Sequence, residues 1–272
     1  MGMQINILGM GVMGSQIAAL VALSGCRVNL WSRRAGAQVT LINREMRLLR
    51  RFLTTVPETA GELAVYEEIE QLPDCLTIET VTEDLDAKKA VIARLRTTHH
   101  ALLFSNSSSY RPDELGPDVR ALHFFNPISH MKLIEYIDPD QLSALQPFRD
   151  FVLANGFTLV PVHPNRGYIG NFMLFSEISA FFRLLELWHY DEAELKAVCA
   201  CLGHRNAFEV VDFIGVDVCL RILENLQEGE AGLYVPELLR RAVRAGILGK
   251  KNNTSLLKFY QQEKTAAAGS AQ

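Results

Sequence analysis

The sequence lacks any long uninterrupted apolar run. Its most apolar stretch, 172–188, is broken by Glu177, Arg183 and Glu186, whereas a membrane span needs about 18 residues almost free of charge, so no membrane partner is expected. An excess of positive charge is also missing. The 27 Lys and Arg against 31 Asp and Glu leave a net charge of -4, which argues against nucleic acid as a partner, because a phosphate backbone selects basic faces. Proline is scarce, at 10 in 272 residues, and with 49% hydrophobic and 21% charged residues the chain is neither disordered, collagen-like nor low-complexity. Cysteine is sparse and odd in number: Cys26, Cys75, Cys199, Cys201 and Cys219 show no framework spacing and read as reduced packing thiols. Cys199 and Cys201 offer half a metal site with nothing to supply the other half, so no metal is expected. The N-terminus carries no basic region with a cleavage pattern, and Asn6 stands where a myristoylation signal wants Ser or Thr; a cytoplasmic location is expected.

What is present divides near Pro161. A length of 272 residues allows one large or two ordinary domains. Before Pro161, short apolar runs alternate with helical patterns, the pattern of βαβ units around a parallel sheet. Strands are expected over 5–8, 28–31, 76–81, 102–105, 121–124, 134–137 and 158–162. Helices are expected over 13–24, 37–53, 86–98, 110–115 and 140–155. After the segment 163–167 the strand pattern stops, and helices are expected over 168–187, 191–202, 206–228 and 236–245, with a frayed tail from Thr265. The fold class is therefore α/β, a Rossmann-type doubly wound sheet over 1–162, followed by an all-α domain over 163–272.

The first strand runs directly into Gly9-Met10-Gly11-Val12-Met13-Gly14 and then into a helical pattern. In G-x-G-x-x-G the first glycine allows the tight turn, the second clears room for a pyrophosphate, and the third lets helix and strand approach. The helix N-terminus then offers unpaired N–H groups and its positive dipole end to the phosphates. Because the motif sits inside a strand-loop-helix unit, the segment 9–14 is expected to bind a dinucleotide. The second strand ends in Ser32-Arg33-Arg34, where an acidic residue would normally bond the adenosine ribose. A hydroxyl and two guanidinium groups suit a 2′-phosphate, so NADP is expected. Solvated loop arginines beside a serine that accepts either cofactor are the alternative, with NAD in place of NADP.

Three further segments stand out: Phe104-Ser105-Asn106-Ser107-Ser108-Ser109, His123-Phe124-Phe125-Asn126-Pro127, and Met131-Lys132-Leu133-Ile134-Glu135. With the glycine motif, Glu83-Asp84-Leu85, Gly167-Tyr168-Ile169-Gly170-Asn171, the run 208–217 and Gly249-Lys250-Lys251, the chain resembles the 3-hydroxyacyl-CoA dehydrogenase family. The resemblance implies hydride transfer between a nicotinamide and C3 of a 3-hydroxyacyl group. It implies His123 as the acid/base and Glu135 as the carboxylate that fixes its tautomer. Ser108 and Asn171 would be donors to the substrate oxygen. By the same carry-over Glu83, Lys88, Asn106, Asn126 and Lys251 would line the nicotinamide half of the cofactor, the site would lie between the domains, and the helical half would make a homodimer interface. His99, His100 and His130 match no catalytic position and read as surface or loop residues.

The sequence departs from the family in places. The stretch between the second strand and Glu83 is roughly a dozen residues shorter than usual, by loop-length reasoning. Arg166-Gly167-Tyr168 stands where Pro-Gly-Phe is usual, and the turn 203–208 is altered. Arg166 or Arg205 is therefore expected to face an anionic group on the substrate. The resemblance implies an acyl thioester as substrate, on CoA or on acyl carrier protein. Arg44, Arg47, Arg50 and Arg51 form a basic face suited to either carrier or simply to solvent. A small hydroxy acid as substrate, or a nucleotide-binding relative without catalysis, are the alternatives.

Overall fold

In the first unit the apolar runs assemble into one eight-stranded sheet. The computed structural model describes residues 2–33, 38–137, 143–229 and 232–269, and its contacts divide the chain into two units, Met1–Tyr168 and Ile169–Gln272. The strands are β1 (Gln4–Leu8), β2 (Arg27–Trp31), β3 (Leu63–Tyr66), β4 (Thr77–Glu79), β5 (Leu103–Ser105), β6 (Val119–Phe124), β7 (Leu133–Tyr136) and β8 (Thr158–Pro161), in the order β3-β2-β1-β4-β5-β6-β7-β8. All neighbours are parallel except β6 and β7. The connection 125–132 between those two is too short for the crossover that parallel pairing requires.

Strand periodicity sorts side chains onto the two faces. Ile5 and Ile7 of β1 join one apolar cluster with Ile17, Leu20 and Leu23 of α1 (Val12–Leu23), Ile42 and Leu49 of α2 (Gln38–Leu49), and Phe148 and Val152 of α5 (Gln146–Ala154). Leu8 joins the other with Val91, Ile92 and Leu95 of α3 (Leu85–Leu95) and Leu115 of α4 (Pro112–Leu115). Helices on both faces make the doubly wound α/β architecture. α1 carries no charged residue and is buried from Gly14 to Leu23, which suits a helix packed against both sheet and α2.

The second unit is helical: α6 (Gly170–Leu187), α7 (Glu192–Leu202), α8 (Ala207–Ile214), α9 (Val216–Gly229), α10 (Glu237–Arg244) and α11 (Leu256–Gly269). Phe182 and Phe208 meet edge to face at 5.2 Å in a core shared with Val211, Leu223, Leu238 and Leu256. The Asp191 carboxylate accepts from the Ala193 amide to start α7, and the Asn206 side chain accepts from the Phe208 amide to start α8, as helix N-termini with unpaired donors require.

Several expectations are corrected. β3 was not expected, although Leu63-Ala64-Val65-Tyr66 is a continuous apolar run; it is a four-residue edge strand with Val65 46% exposed. The single helix over 206–228 is two, because Gly215 takes φ 111 and caps α8. The tail from Thr265 is helical as far as Gly269. His99 lies in the loop after α3 but is not at the surface: it is 2% exposed, and its Nε2 donates to the Leu72 carbonyl at 2.6 Å. The division between units falls after Tyr168, since the Gly167 amide is bonded to the Ser108 carbonyl at 2.5 Å in the sheet unit. Arg34, the start of the helix expected over 37–53, the start of that expected over 140–155, and residues 270–272 of the tail lie outside the described residues.

Candidate functional site

The glycine turn after β1 has the form a pyrophosphate needs. Gly9 adopts φ 93, and a side chain on Gly14 would come within 2.1 Å of the Gly9 carbonyl oxygen and 2.6 Å of Thr80 Oγ1. Nothing stands within 4 Å of a side chain placed on Gly11, so the space beside the α1 N-terminus is open. Val12 begins α1 and is 63% exposed there, with Met10 and Met13 half-buried beside it. A bare turn, an open approach and a helix N-terminus fit the phosphates of a dinucleotide. At the end of β2, Ser32 is half-buried and Arg33 exposed.

The antiparallel pairing of β6 and β7 sets His123 directly opposite Glu135. Side chains of directly opposed residues share a face, and His123 Nδ1 lies 2.9 Å from Glu135 Oε2, with the two side chains 6% and 1% exposed. With Nδ1–H donating to the carboxylate, Nε2 is left as the proton acceptor. The imidazole packs edge-on to Phe125 at 4.5 Å and against Tyr168 at 5.7 Å.

A second, connected polar cluster lies at the ends of β4 and β5. Ser107 Oγ donates to Glu83 Oε1 at 2.5 Å, and Ser109 donates to the same oxygen through its hydroxyl and its amide. Lys88 is 1% exposed, donates to Glu79 Oε1 at 3.0 Å and to the Val81 carbonyl at 3.2 Å, and lies 3.3 Å from Glu83. Burial works against the Lys88 charge, but the Glu79 and then the Glu83 carboxylates outweigh it and hold its pKa above the ordinary 10.5. Burial likewise pushes Glu83 up, yet the Lys88 ammonium and the Ser107 and Ser109 hydroxyls more than offset it and hold Glu83 below the ordinary 4.5. Ser108 lies between the two serines that hold Glu83 and is 8% exposed.

The remaining expected residues act as ties. Asn106 Oδ1 accepts from the Phe124 amide at 2.9 Å, linking the end of β5 to the His123 strand. Asn126 Oδ1 accepts from Gln16 Nε2 at 3.0 Å, linking α1 to the turn after β6. Asn171 lies in the first turn of α6, in the helical unit. Lys251 belongs to that unit too, where its ammonium pairs with Asp217 at 2.8 Å. The expectation that Arg166 faces a substrate anion is corrected: its guanidinium pairs with Glu114 at 2.5 Å, side chain 14% exposed, and lies over the Tyr110 ring. Arg205 is exposed in the helical unit.

The sequence reading missed Glu79, Ser105, Gln16 and Tyr168. Ser105 Oγ donates to Glu79 Oε2 at 2.6 Å, and Glu79 is wholly buried. Its signal was an acidic residue closing an apolar strand, a placement a solvated residue would not need.

Residues 4–154 match the model of the 3-hydroxyacyl-CoA dehydrogenase NAD binding domain, and residues 167–259 that of the 3-hydroxyacyl-CoA dehydrogenase C-terminal domain. The chain belongs to the 3-hydroxyacyl-CoA dehydrogenase family. It is thus related to oxidoreductases of the CH–OH group with a nicotinamide-binding first domain. A probable 3-hydroxybutyryl-CoA dehydrogenase of Bacillus subtilis is 30% identical, over 97% of this chain and 99% of the relative. A 3-hydroxybutyryl-CoA dehydrogenase of Clostridioides difficile is also 30% identical, over 96% and 100%. Among solved structures, that of Mycobacterium tuberculosis FadB2 superposes with a TM-score of 0.76 at 26% identity, over 94% of this chain and 99% of that one. No described helix is long and apolar enough to cross a membrane.

Proposed function

We propose that this member of the family interconverts a 3-hydroxyacyl and a 3-oxoacyl thioester, with His123 as acid/base. The observation that carries the reading is the buried His123–Glu135 pair, held at 2.9 Å by strand register. With the pyrophosphate held at the glycine turn, the nicotinamide of the bound dinucleotide would take or give the hydride. Glu135 keeps the Nδ1 proton in place, so Nε2 receives the proton of the C3 hydroxyl in oxidation and returns it in reduction; the carboxylate stabilises the imidazolium between. Ser108 and Asn171 are the proposed donors to the substrate oxygen, fixed dipoles that favour its negative charge as it develops. Glu83, held by Ser107, Ser109 and Lys88, is the proposed contact to the nicotinamide half, with Asn106 and Asn126 beside it. Lys88 acts through Glu83, because its own donors are engaged. Lys251 is the residue this reading needs least, its charge being met by Asp217.

NADP is the proposed cofactor, supported by Ser32 and the exposed Arg33 after β2 and by the absence of an acidic residue there. The relatives' names carry 3-hydroxybutyryl-CoA, which supports a short acyl-CoA. Acyl carrier protein is the second reading for the carrier, favoured by Arg44, Arg47, Arg50 and Arg51, all exposed on or just beyond α2. A homodimer through the helical unit is supported by Met173, Val198, Leu202 and Phe213, each more than half exposed. A cytoplasmic location belongs to the same reading.

The test is an activity matrix crossing NAD and NADP with CoA-linked, carrier-linked and free 3-oxo acids, run on the wild type and His123→Gln. Loss of a positioned acid/base lowers turnover by about 10²–10⁴-fold, while cofactor affinity measured by fluorescence titration stays within a factor of about two. Unimpaired turnover of H123Q refutes the mechanism, and a strong preference for NAD refutes the cofactor choice.

A further inference from the structure

Tyr168 is a buried phenol whose hydroxyl the protein leaves unused. The residue is 2% exposed, and its ring packs against His123 at 5.7 Å. Its backbone is held in the left-handed region at φ 46, where a bulky side chain is a genuine outlier that persists only when its surroundings over-determine it. Those surroundings are specific. The Gly167 amide is bonded to the Ser108 carbonyl, Asn165 Nδ2 donates to the Tyr168 carbonyl at 3.1 Å, and Arg166 is pinned by Glu114. The segment is thus tied to Ser108 and to Glu114 and closed on itself by Asn165, with the Tyr168 ring against the imidazole.

Among the described residues no group hydrogen-bonds Tyr168 Oη, yet the oxygen is not among the sealed, unpartnered atoms of the interior. It therefore keeps an open side. A buried hydroxyl without a partner is costly, and proteins rarely keep one. Here the ring that carries it packs against the proposed acid/base, where a bound molecule would supply what the protein does not. The surrounding charge narrows the choice. Burial first, then the Glu83 and Glu135 carboxylates, raise the affinity of the phenol for its proton, so at any working pH the group is a donor. The same carboxylates repel an anionic acceptor.

We propose that the Tyr168 hydroxyl is a substrate-binding donor that selects a neutral oxygen, a carbonyl or hydroxyl close to the reacting carbon of the acyl group, over an apolar or anionic group at that place. The inference rests on the site reading above and deepens it: specificity comes from this phenol, not from Arg166.

The test uses full-length wild type, Tyr168→Phe and His123→Gln with three probes: acetoacetyl-pantetheine and its analogues bearing a hydroxyl or a carboxylate on the terminal carbon. Phe keeps the ring and removes only the donor. Loss of one neutral hydrogen bond lowers kcat/KM roughly three- to tenfold. A loss on both neutral substrates identifies the thioester carbonyl as the acceptor, and a loss confined to the hydroxyl-bearing analogue identifies the chain oxygen. The carboxylate analogue is poor for wild type and no poorer for Y168F. Because no protein partner is lost, the melting temperature of Y168F stays equal to or above that of wild type. A kcat/KM within twofold of wild type on both neutral substrates overturns the proposal, as does a fall of several degrees in melting temperature, which would make the hydroxyl structural. If H123Q is inactive and Y168F is unchanged, the Tyr168 inference alone fails; if H123Q retains full turnover, the site reading fails and takes the inference with it.

Discussion

Replacing Lys88 by Met tests whether the buried cluster at the ends of β4 and β5 is held by charge. The perturbation removes one cation and leaves its neighbours. Glu79 is wholly buried and loses the ammonium 3.0 Å away; Glu83 loses one 3.3 Å away. Breaking a buried pair by removing one partner destabilises by about 3–5 kcal/mol, because the remaining charge is neither solvated nor matched. At about 2–4 °C per kcal/mol for a chain of this size, the melting temperature falls by roughly 6–20 °C. Glu79→Gln/Lys88→Met removes both charges of the tighter pair and recovers a large part of that loss. The assay is urea unfolding followed by tryptophan fluorescence, for which Trp31, 3% exposed in the sheet unit, is the reporter. A K88M midpoint within about 1 kcal/mol of wild type, or a double variant no better than the single, would show that Lys88 is not holding the cluster by charge.

Two further outcomes follow from the same geometry. Gly14→Ala places a methyl group 2.1 Å from the Gly9 carbonyl oxygen and 2.6 Å from Thr80 Oγ1; overpacking of that kind costs about 1–3 kcal/mol, and the distorted turn weakens dinucleotide binding at least tenfold, read by calorimetric titration. The buried cluster contributes to the pH dependence of stability on both sides, Glu83 through the Lys88 ammonium and Lys88 through the Glu79 and then the Glu83 carboxylates. Glu83 is held below its ordinary 4.5, so its contribution is complete above that value and lost as pH falls through the lowered one; Lys88 is held above its ordinary 10.5, so its contribution is complete below that value and lost as pH rises through the raised one. Thermal unfolding of wild type against Glu83→Gln should give a difference that is flat from about pH 6 to pH 9 and shrinks in acid; a difference that grows in acid contradicts the assignment.

Local chemistry was legible where it is written in consecutive residues. The glycine turn declares itself because only glycine tolerates φ 93 at residue 9 and the close approach at residue 14. Seven strands and the change to helices after 163–167 were readable from period and run length, and the ordered motifs from 104 to 135 carried the family. β3 was missed although Leu63-Ala64-Val65-Tyr66 is a continuous apolar run, because four residues without alternation are too few for period alone to tell a strand from another apolar segment. Nor was the break at Gly215 readable, where one left-handed residue outweighs a continuous helical periodicity.

The amino-acid order by itself determined the βαβ repeat, the dinucleotide turn and the residue types needed for an acid/base pair, because these depend on backbone freedom and on hydrophobic period over a few residues. Only the tertiary structure decided how those types are joined. Antiparallel register set Glu135 opposite His123, burial turned Glu79 and Lys88 into a charge-balanced anchor for Glu83, and Glu114 took Arg166 out of use. Each of these is a contact between residues 9 to 52 positions apart, and the strength of such contacts comes from the exclusion of water, which no local stretch of chain can bring about alone.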